Sequence, residues 1–147
     1  MMRVAVLGTG YWGKNILRNL NQLGSLAAFC DTNPHIRAEF GTQYPKAEAY
    51  ASTEEVLADS SIEAIAIATP AATHGELAKS ALLAGKHVFV EKPLCLDYDE
   101  ALQLNRLADE RDLVLMVGHL LLYHPAFLSV KASIDNGEIG SLRYLYS

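Results

Sequence analysis

No apolar run in the 147-residue chain approaches the ~20 residues that a membrane-spanning helix needs. The opening stretch MMRVAVLGTG lacks the long apolar core of a signal peptide, because Gly8 interrupts it. Both absences predict a soluble, cytoplasmic protein with no membrane partner. An excess of basic residues is missing too: 12 Lys and Arg stand against 17 Asp and Glu, a formal net charge of −5. A protein that grips nucleic-acid phosphates ordinarily concentrates Lys and Arg on one face, so nucleic acid is not an expected partner. Cysteine is scarce. Cys30 and Cys95 lie 65 positions apart, with no CxxC and no His/Cys spacing of a zinc site, which predicts reduced thiols and no metal centre. The absence of GxxxxGK[ST] excludes P-loop nucleotide hydrolysis. Repeats, low-complexity tracts and flexible linkers are absent as well.

What the chain does contain is 50% hydrophobic residues, enough for one domain that buries roughly two-thirds of the surface its unfolded form exposes. Apolar stretches of strand length alternate with helix-length segments, the pattern of βαβ units in a parallel sheet. The strand candidates are Arg3 to Leu7, Leu26 to Cys30, Ile62 to Ala68, His87 to Val90 and Leu113 to Val117, with a weaker one at Ala47 to Tyr50. Most are continuous apolar runs, as expected for strands covered by helices on both faces. Thr73 with Glu76, and Asp97 with Glu100, offer an N-cap oxygen and an N3 carboxylate for helix starts. Gly24, Gly85 and Gly137 each follow an apolar-periodic segment where a left-handed residue closes a helix. Pro125 suits the first turn of a helix over Pro125 to Asp135, with His124 near its cap.

The first strand runs into Gly8-Thr9-Gly10-Tyr11-Trp12-Gly13, a GxGxxG sequence, and a helical pattern over Lys14 to Leu23 follows at once. In that context the first glycine permits the tight turn. The second lets the backbone approach a pyrophosphate, and the third lets the helix pack closely on the strand. Asp31 closes the second strand 18 residues after Gly13, where a carboxylate accepts hydrogen bonds from ribose hydroxyls. Its other reading is a cap for the helix at Asn33 and Pro34. Loop and acid together indicate a dinucleotide, and the class is a Rossmann-type α/β fold: a doubly wound parallel sheet with helices on both faces. An Asp here repels a 2′-phosphate, and Thr32, Asn33 and Pro34 bring no basic residue, so NAD is favoured over NADP. Arg37, one helical turn on, is placed to swing back. An S-adenosylmethionine methyltransferase would carry an acid in or just before its glycine loop, but here Val6 and Leu7 precede Gly8. Trp12 reads as a packing or interface residue.

Ligands in open parallel sheets collect at the carboxyl ends of strands. One such end carries Ala68-Thr69-Pro70, with Thr73 and His74 beginning a helix; the plain reading of Thr73 is a turn with a capping box. The next strand ends in Glu91-Lys92-Pro93, where Pro93 stiffens the backbone and gives Lys92 a fixed direction. A lysine beside a nicotinamide suits a general base, since partial burial and the positive ring both disfavour its ammonium form. Taken alone, Glu91 and Lys92 read first as a charge pair on a loop surface.

GxGxxG, Asp31, ATP followed by His74, Glu91-Lys92-Pro93 and the later Val117-Gly118-His119 together resemble the Gfo/Idh/MocA family of NAD(P)-dependent oxidoreductases, over the whole chain. The resemblance implies a nicotinamide-binding domain followed by an α+β domain that binds a sugar or cyclitol and mediates homo-oligomerisation. By that analogy Lys92 is the catalytic lysine and Glu91 helps hold the nicotinamide end. Thr69, Pro70, His74 and His119 then border the cofactor, beside Gly8, Gly10, Tyr11, Trp12, Gly13 and Asp31. The segments GHLLLYHPAF and GEIGSLRYLYS look most like the branch acting on nucleotide-linked amino sugars, such as UDP-N-acetylglucosamine or its uronic acid, oxidised at the sugar 3-position. Tyr123 and His124 face the sugar or the nicotinamide in one reading. In the other, His124 caps the helix and Tyr123 packs.

Leu142 to Ser147 (LRYLYS) reads as the first strand of a second domain, with Tyr144 and Tyr146 on one face. The expected division is therefore a cofactor domain over 1–120 and, over 121–147, a linking helix and the start of a substrate domain. Members of the family are roughly twice as long, so the chain reads as a cofactor domain cut at its boundary, binding cofactor with little or no turnover. The competing functions are a non-catalytic NAD sensor and a protein-interaction module that pairs through its terminal strand.

Overall fold

The unbroken apolar runs become strands that serve two cores at once. In the computed structural model, which describes residues 1–144, β1 (Val4–Leu7) points Val4 and Val6 into one core and Ala5 and Leu7 into the other. That double burial is why no polar residue interrupts the run. The elements follow as α1 (Gly13–Gln22), β2 (Leu26–Cys30), α2 (Pro34–Gln43), β3 (Glu48–Tyr50), α3 (Thr53–Ala58) and β4 (Ala64–Ile67). Then come α4 (His74–Leu83), β5 (His87–Val90), α5 (Tyr98–Glu110), β6 (Leu115–Val117) and α6 (Pro125–Asp135). The strands make one six-stranded sheet in the order β3-β2-β1-β4-β5-β6, parallel at every pairing. The winding reverses between β1 and β4, which places the ligand crevice of a doubly wound sheet above those two strands.

Helices cover both faces. Leu17 of α1 and Phe40 of α2 pack on Val6, Phe29 and Ala66, while Val56 of α3, Leu82 of α4 and Leu104 of α5 pack on Leu7, Ile65 and Val88. The first face is covered over half its width only. Beyond β4 it presents partly buried Phe89 and exposed Met116.

Helix ends use the expected chemistry with one exception and one addition. Gly24, Gly85 and Gly137 adopt φ of 70°, 74° and 72°, and Asp97 accepts from the Glu100 amide at 2.8 Å. His124 caps α6 by accepting from the Ala126 amide at 3.2 Å, ahead of Pro125 at the first position. The capping box expected at Thr73 is absent: its side chain makes no cap bond, because its hydroxyl donates to the Pro70 carbonyl at 2.8 Å. A full capping box stands instead at Ser52 and Glu55.

The terminal strand expected over 142–147 is not found in its described part: residues 142–144 are irregular, and 145–147 lie outside the described residues. Helix α6 buries none of its side chains. Its Phe127, Leu128 and Val130 are exposed, as are Leu120 to Tyr123 before it. Among the described residues no helix is long and apolar enough to cross a membrane, and no group of three or more potential ligands could hold a metal.

One buried charge ties the connections together. Lys86 is 5% exposed, and its ammonium donates to the carbonyls of Asp59 and Ile62 at 2.6 and 2.7 Å. This fastens the turn before β5 to the turn before β4. Replacing it by Met keeps the apolar stem but leaves two carbonyls without their donor. Lys86→Met is expected to lower the stability of the folded chain by about 2 kcal/mol, read from the denaturant midpoint; an unchanged midpoint would show that water satisfies both carbonyls.

Candidate functional site

Strand β1 ends against the neighbouring strands: the Gly8 amide donates to the Cys30 carbonyl at 3.0 Å. Gly8 then turns with φ of 82°, and a Cβ there would meet Thr69 Cγ2 at 2.9 Å. Gly13 opens α1 so near that its Cβ would lie 1.9 Å from the Gly8 carbonyl oxygen. Above Gly10 there is open space, with nothing within 4 Å of an added Cβ. Helix α1 has no side-chain cap and no acidic residue in its first turn, so its partial positive charge is open to an anion, although the Lys14 and Asn15 amides bond back to the Gly10 and Trp12 carbonyls at 3.2 and 2.9 Å. This bare, uncapped cradle fits a pyrophosphate.

The next strand end supplies the carboxylate. Asp31 Oδ2 accepts from the Thr9 hydroxyl at 2.7 Å and the Thr9 amide at 3.2 Å, and Oδ1 accepts from the Asn33 amide at 2.9 Å. Burial would raise its pKa, but these hydrogen bonds and the charge of Arg37 outweigh it and hold the carboxyl below the ordinary aspartate value. The helix-cap reading of Asp31 does not hold. Asn33 caps α2, accepting from the His35 amide at 2.9 Å. Arg37 does swing back, and Nη1 donates to the Asp31 carbonyl at 2.6 Å. Burial and the nearby carboxylates Asp31, Glu55 and Glu54 push the Cys30 thiol up to about 11, away from the thiolate form that a nucleophile needs.

On the other side of β1, the ends of β4, β5 and β6 surround a cleft of about 1060 Å³. It gathers Trp12, Thr69, His74, Glu91, Lys92 and His119, with Leu120 to Leu122 as an apolar wall. His74 is only 2% exposed. Its Nδ1 meets the Pro93 carbonyl at 2.7 Å and its Nε2 the Thr69 carbonyl at 2.8 Å, so the ring braces two walls of the cleft through their backbone. The Thr69 hydroxyl lies 2.7 Å from that of Thr73; since Thr73 spends its proton on Pro70, Thr69 is the donor. Glu91 accepts from the Trp12 indole Nε1. Lys92 is exposed, which corrects the expected partial burial: the cleft is open to solvent where Lys92 stands.

Besides the loop glycines and Asp31, the sequence-selected Tyr11, Pro70, Tyr123 and His124 stand outside this cleft. Tyr11 is 85% exposed and carries Lys14 Nζ over its ring at 5.2 Å. Pro70 is exposed and contributes its carbonyl to Thr73. His124 is engaged as a helix cap, and Tyr123 is 66% exposed. The sequence reading missed Thr9, which is 2% exposed and the main partner of Asp31. The one available signal was a hydroxyl residue between two loop glycines.

Residues 2–119 match an oxidoreductase family with an NAD-binding Rossmann fold, Gfo/Idh/MocA. Over 144 residues the chain is 35% identical to the UDP-N-acetylglucosamine 3-dehydrogenase of Acidithiobacillus ferrooxidans, covering 98% of this chain and 44% of that one. The solved structure of that enzyme superposes with a TM-score of 0.81, covering 90% of this chain and 43% of that one. The 3-ketoreductase KijD10 of Actinomadura kijaniata, solved with NADP and TDP-benzene, gives a TM-score of 0.85 at 29% identity, covering 92% and 42%. The dehydrogenase WlbA of Bordetella pertussis, solved with NADH and UDP-GlcNAcA, gives 0.86 at 27% identity, covering 92% and 41%. The chain thus spans less than half the length of these relatives.

The bonds at Asp31 set a pH dependence. Its depressed pKa means that the stability from the ionised carboxylate is present above the ordinary aspartate range and is lost as pH falls through the lower folded value. Thr9→Val removes the hydroxyl donor, so the Asp31 carboxyl resonance is expected to titrate at higher pH than in the native chain. An unmoved titration would assign the depression to the backbone amides and Arg37 alone.

Proposed function

The chain belongs to the Gfo/Idh/MocA family of oxidoreductases, and from that membership we propose that it is the cofactor-binding part of an NAD-dependent dehydrogenase. Its substrate is a ring hydroxyl of a sugar, foremost a nucleotide-linked amino sugar or its uronic acid. The observation that carries the reading is the shared end of the sheet. The open glycine cradle, Asp31 and the exposed Lys92 all stand at strand carboxyl ends, on the two sides of the β1/β4 switch.

The residues divide the work by position. The glycine loop and the positive end of α1 would hold the pyrophosphate, and Asp31 would accept from the adenosine ribose hydroxyls. Thr69, Glu91 and His119 line the nicotinamide end. A nicotinamide held there would supply the acceptor for the hydride from the carbon that bears the hydroxyl. Lys92, which lines the cleft, is the group placed to take up the hydroxyl proton. Water must be kept from this cleft, and Lys92 is exposed; the missing walls belong to a substrate domain. Residues 1–120 are accordingly the cofactor domain, and 121–147 the linking helix and the beginning of the next. Exposed Phe127, Leu128 and Val130 on α6 support that division, and homo-oligomerisation belongs to the same second domain. A sugar substrate is supported by the relatives' names. The free thiols Cys30 and Cys95 fit a reducing cytoplasm.

Preference for NAD over NADP rests on the ionised Asp31, with Arg37 occupied on the Asp31 carbonyl. Titration with NADH and separately with NADPH, followed through Trp12 fluorescence, is expected to show saturable binding that favours NADH. Stronger NADPH binding would reverse the preference, and no binding to either would remove the dinucleotide assignment. In the full-length protein, Lys92→Ala is expected to cut turnover by about a hundredfold or more while NADH affinity stays close to native. An unchanged rate would end the role of Lys92.

A further inference from the structure

Trp12 belongs to the glycine loop, yet its side chain leaves that loop for the far side of the crevice. Asp31 closes β2, whereas Glu91 follows β5, and β1 and β4 lie between them in the sheet. The indole Nε1 donates to Glu91 Oε1 and so spans the end of β4. Glu91 is held from a second side as well. A Cβ on Gly118 would stand 3.2 Å from Glu91 Oε2 and 3.2 Å from Phe89 Cζ, so the carboxylate lies closely against the backbone that follows β6. One carboxylate therefore joins the loops after β1, β5 and β6, and Lys92 is the next residue along the chain. Packing does not account for this ring. Trp12 is 41% exposed and belongs to neither buried core. At such a position the N–H has water at hand, and its pairing with a charged acceptor is what orients the ring.

We propose that Trp12 is a positioning residue for the nicotinamide end of the site: through its hydrogen bond to Glu91 it sets the Glu91-Lys92 turn at a fixed distance from the pyrophosphate cradle. This rests on the dinucleotide reading above and adds a part to it. A cofactor anchored at the loop then meets Lys92 in one place. The bond acts only on what lies beyond the pyrophosphate, on the β5 side. A ligand that ends at the second ribose has nothing there for it to position.

The test compares NADH with ADP-ribose, which carries the adenosine, the pyrophosphate and the second ribose but no nicotinamide. Trp12→Phe keeps a ring and removes the N–H, and Glu91→Leu removes the acceptor; both single variants and the double variant are titrated by calorimetry. Each single variant is expected to bind NADH about tenfold more weakly, with ADP-ribose affinity within about twofold of native. The double variant should lose no more than either single one, because both remove the same bond. Equal weakening of the two ligands would mean that Trp12 serves the loop alone, and an unchanged NADH affinity would mean that the bond positions nothing; either overturns the proposal. A second readout needs no ligand. Trp12 is the only tryptophan, so its indole N–H gives one resonance, which is expected to shift in Glu91→Leu. If it does not shift, the bond is absent and the proposal falls, even where Trp12→Phe fails to fold. A native chain that binds ADP-ribose but not NADH overturns the positioning role only, whereas one that binds neither overturns the dinucleotide reading itself.

Discussion

A Cβ on Gly13 would lie 1.9 Å from the carbonyl oxygen of Gly8, and the cofactor end of the molecule depends on that space staying empty. Because it is empty, α1 begins directly above the end of β1, with no side chain over its first turn and open space above Gly10. A methyl group at Gly13 would push the helix off the strand, and Leu17 would leave its place against Val6 and Phe29. The same closeness holds on the other side of the loop, where Gly8 approaches the Thr69 amide and the Ala68 carbonyl. The gap between β1 and β4, in which a ligand of this fold lies, is thus set by backbone meeting backbone.

Around that gap the loops are tied to one another rather than left to order on binding. Thr9 joins the glycine loop to the end of β2 through Asp31, and Trp12 joins it to the end of β5 through Glu91. His74 braces the end of β4 against the turn after β5. These ties hold mainly backbone and carboxylates, and leave other side chains around the cleft exposed. Lys92 is one of them, which suits a group that must meet a substrate rather than a neighbour.

Most of the fold was legible because a doubly covered parallel sheet writes itself as uninterrupted apolar runs, and because GxGxxG has a mechanical meaning between a strand and a helix. Even the short β3 was visible between Pro45 and the following helix start. What escaped were contacts between distant positions. Nothing local in Thr9 points to Asp31, 22 residues away, and nothing in Trp12 points to Glu91, 79 away. Thr73 misled for a different reason: Thr-x-x-Glu is a sound cap pattern, but the Pro70 carbonyl offered its hydroxyl a competing acceptor. Lys86 follows Gly85 with no local pattern to mark it, and the three-dimensional approach of the Asp59 and Ile62 carbonyls makes it a buried fastener. The exposure of Lys92 follows from the openness of the cleft, which no local pattern in the chain describes.

The alternation of β1 between two cores limits how this sequence can change in length. Inserting a single residue between Val4 and Leu7 would turn every later side chain of the strand to the opposite face, sending Leu7 toward Phe29 and Phe40. The same insertion would rotate Gly8 by half a pleat and aim the cradle away from the crevice, so packing and ligand position would fail together. The turn around Pro45 and Lys46, exposed and remote from the cleft, carries no such double duty. Tolerated insertions and deletions in this domain should therefore gather at the β3 edge of the sheet and be absent from the strand that leads into the glycines.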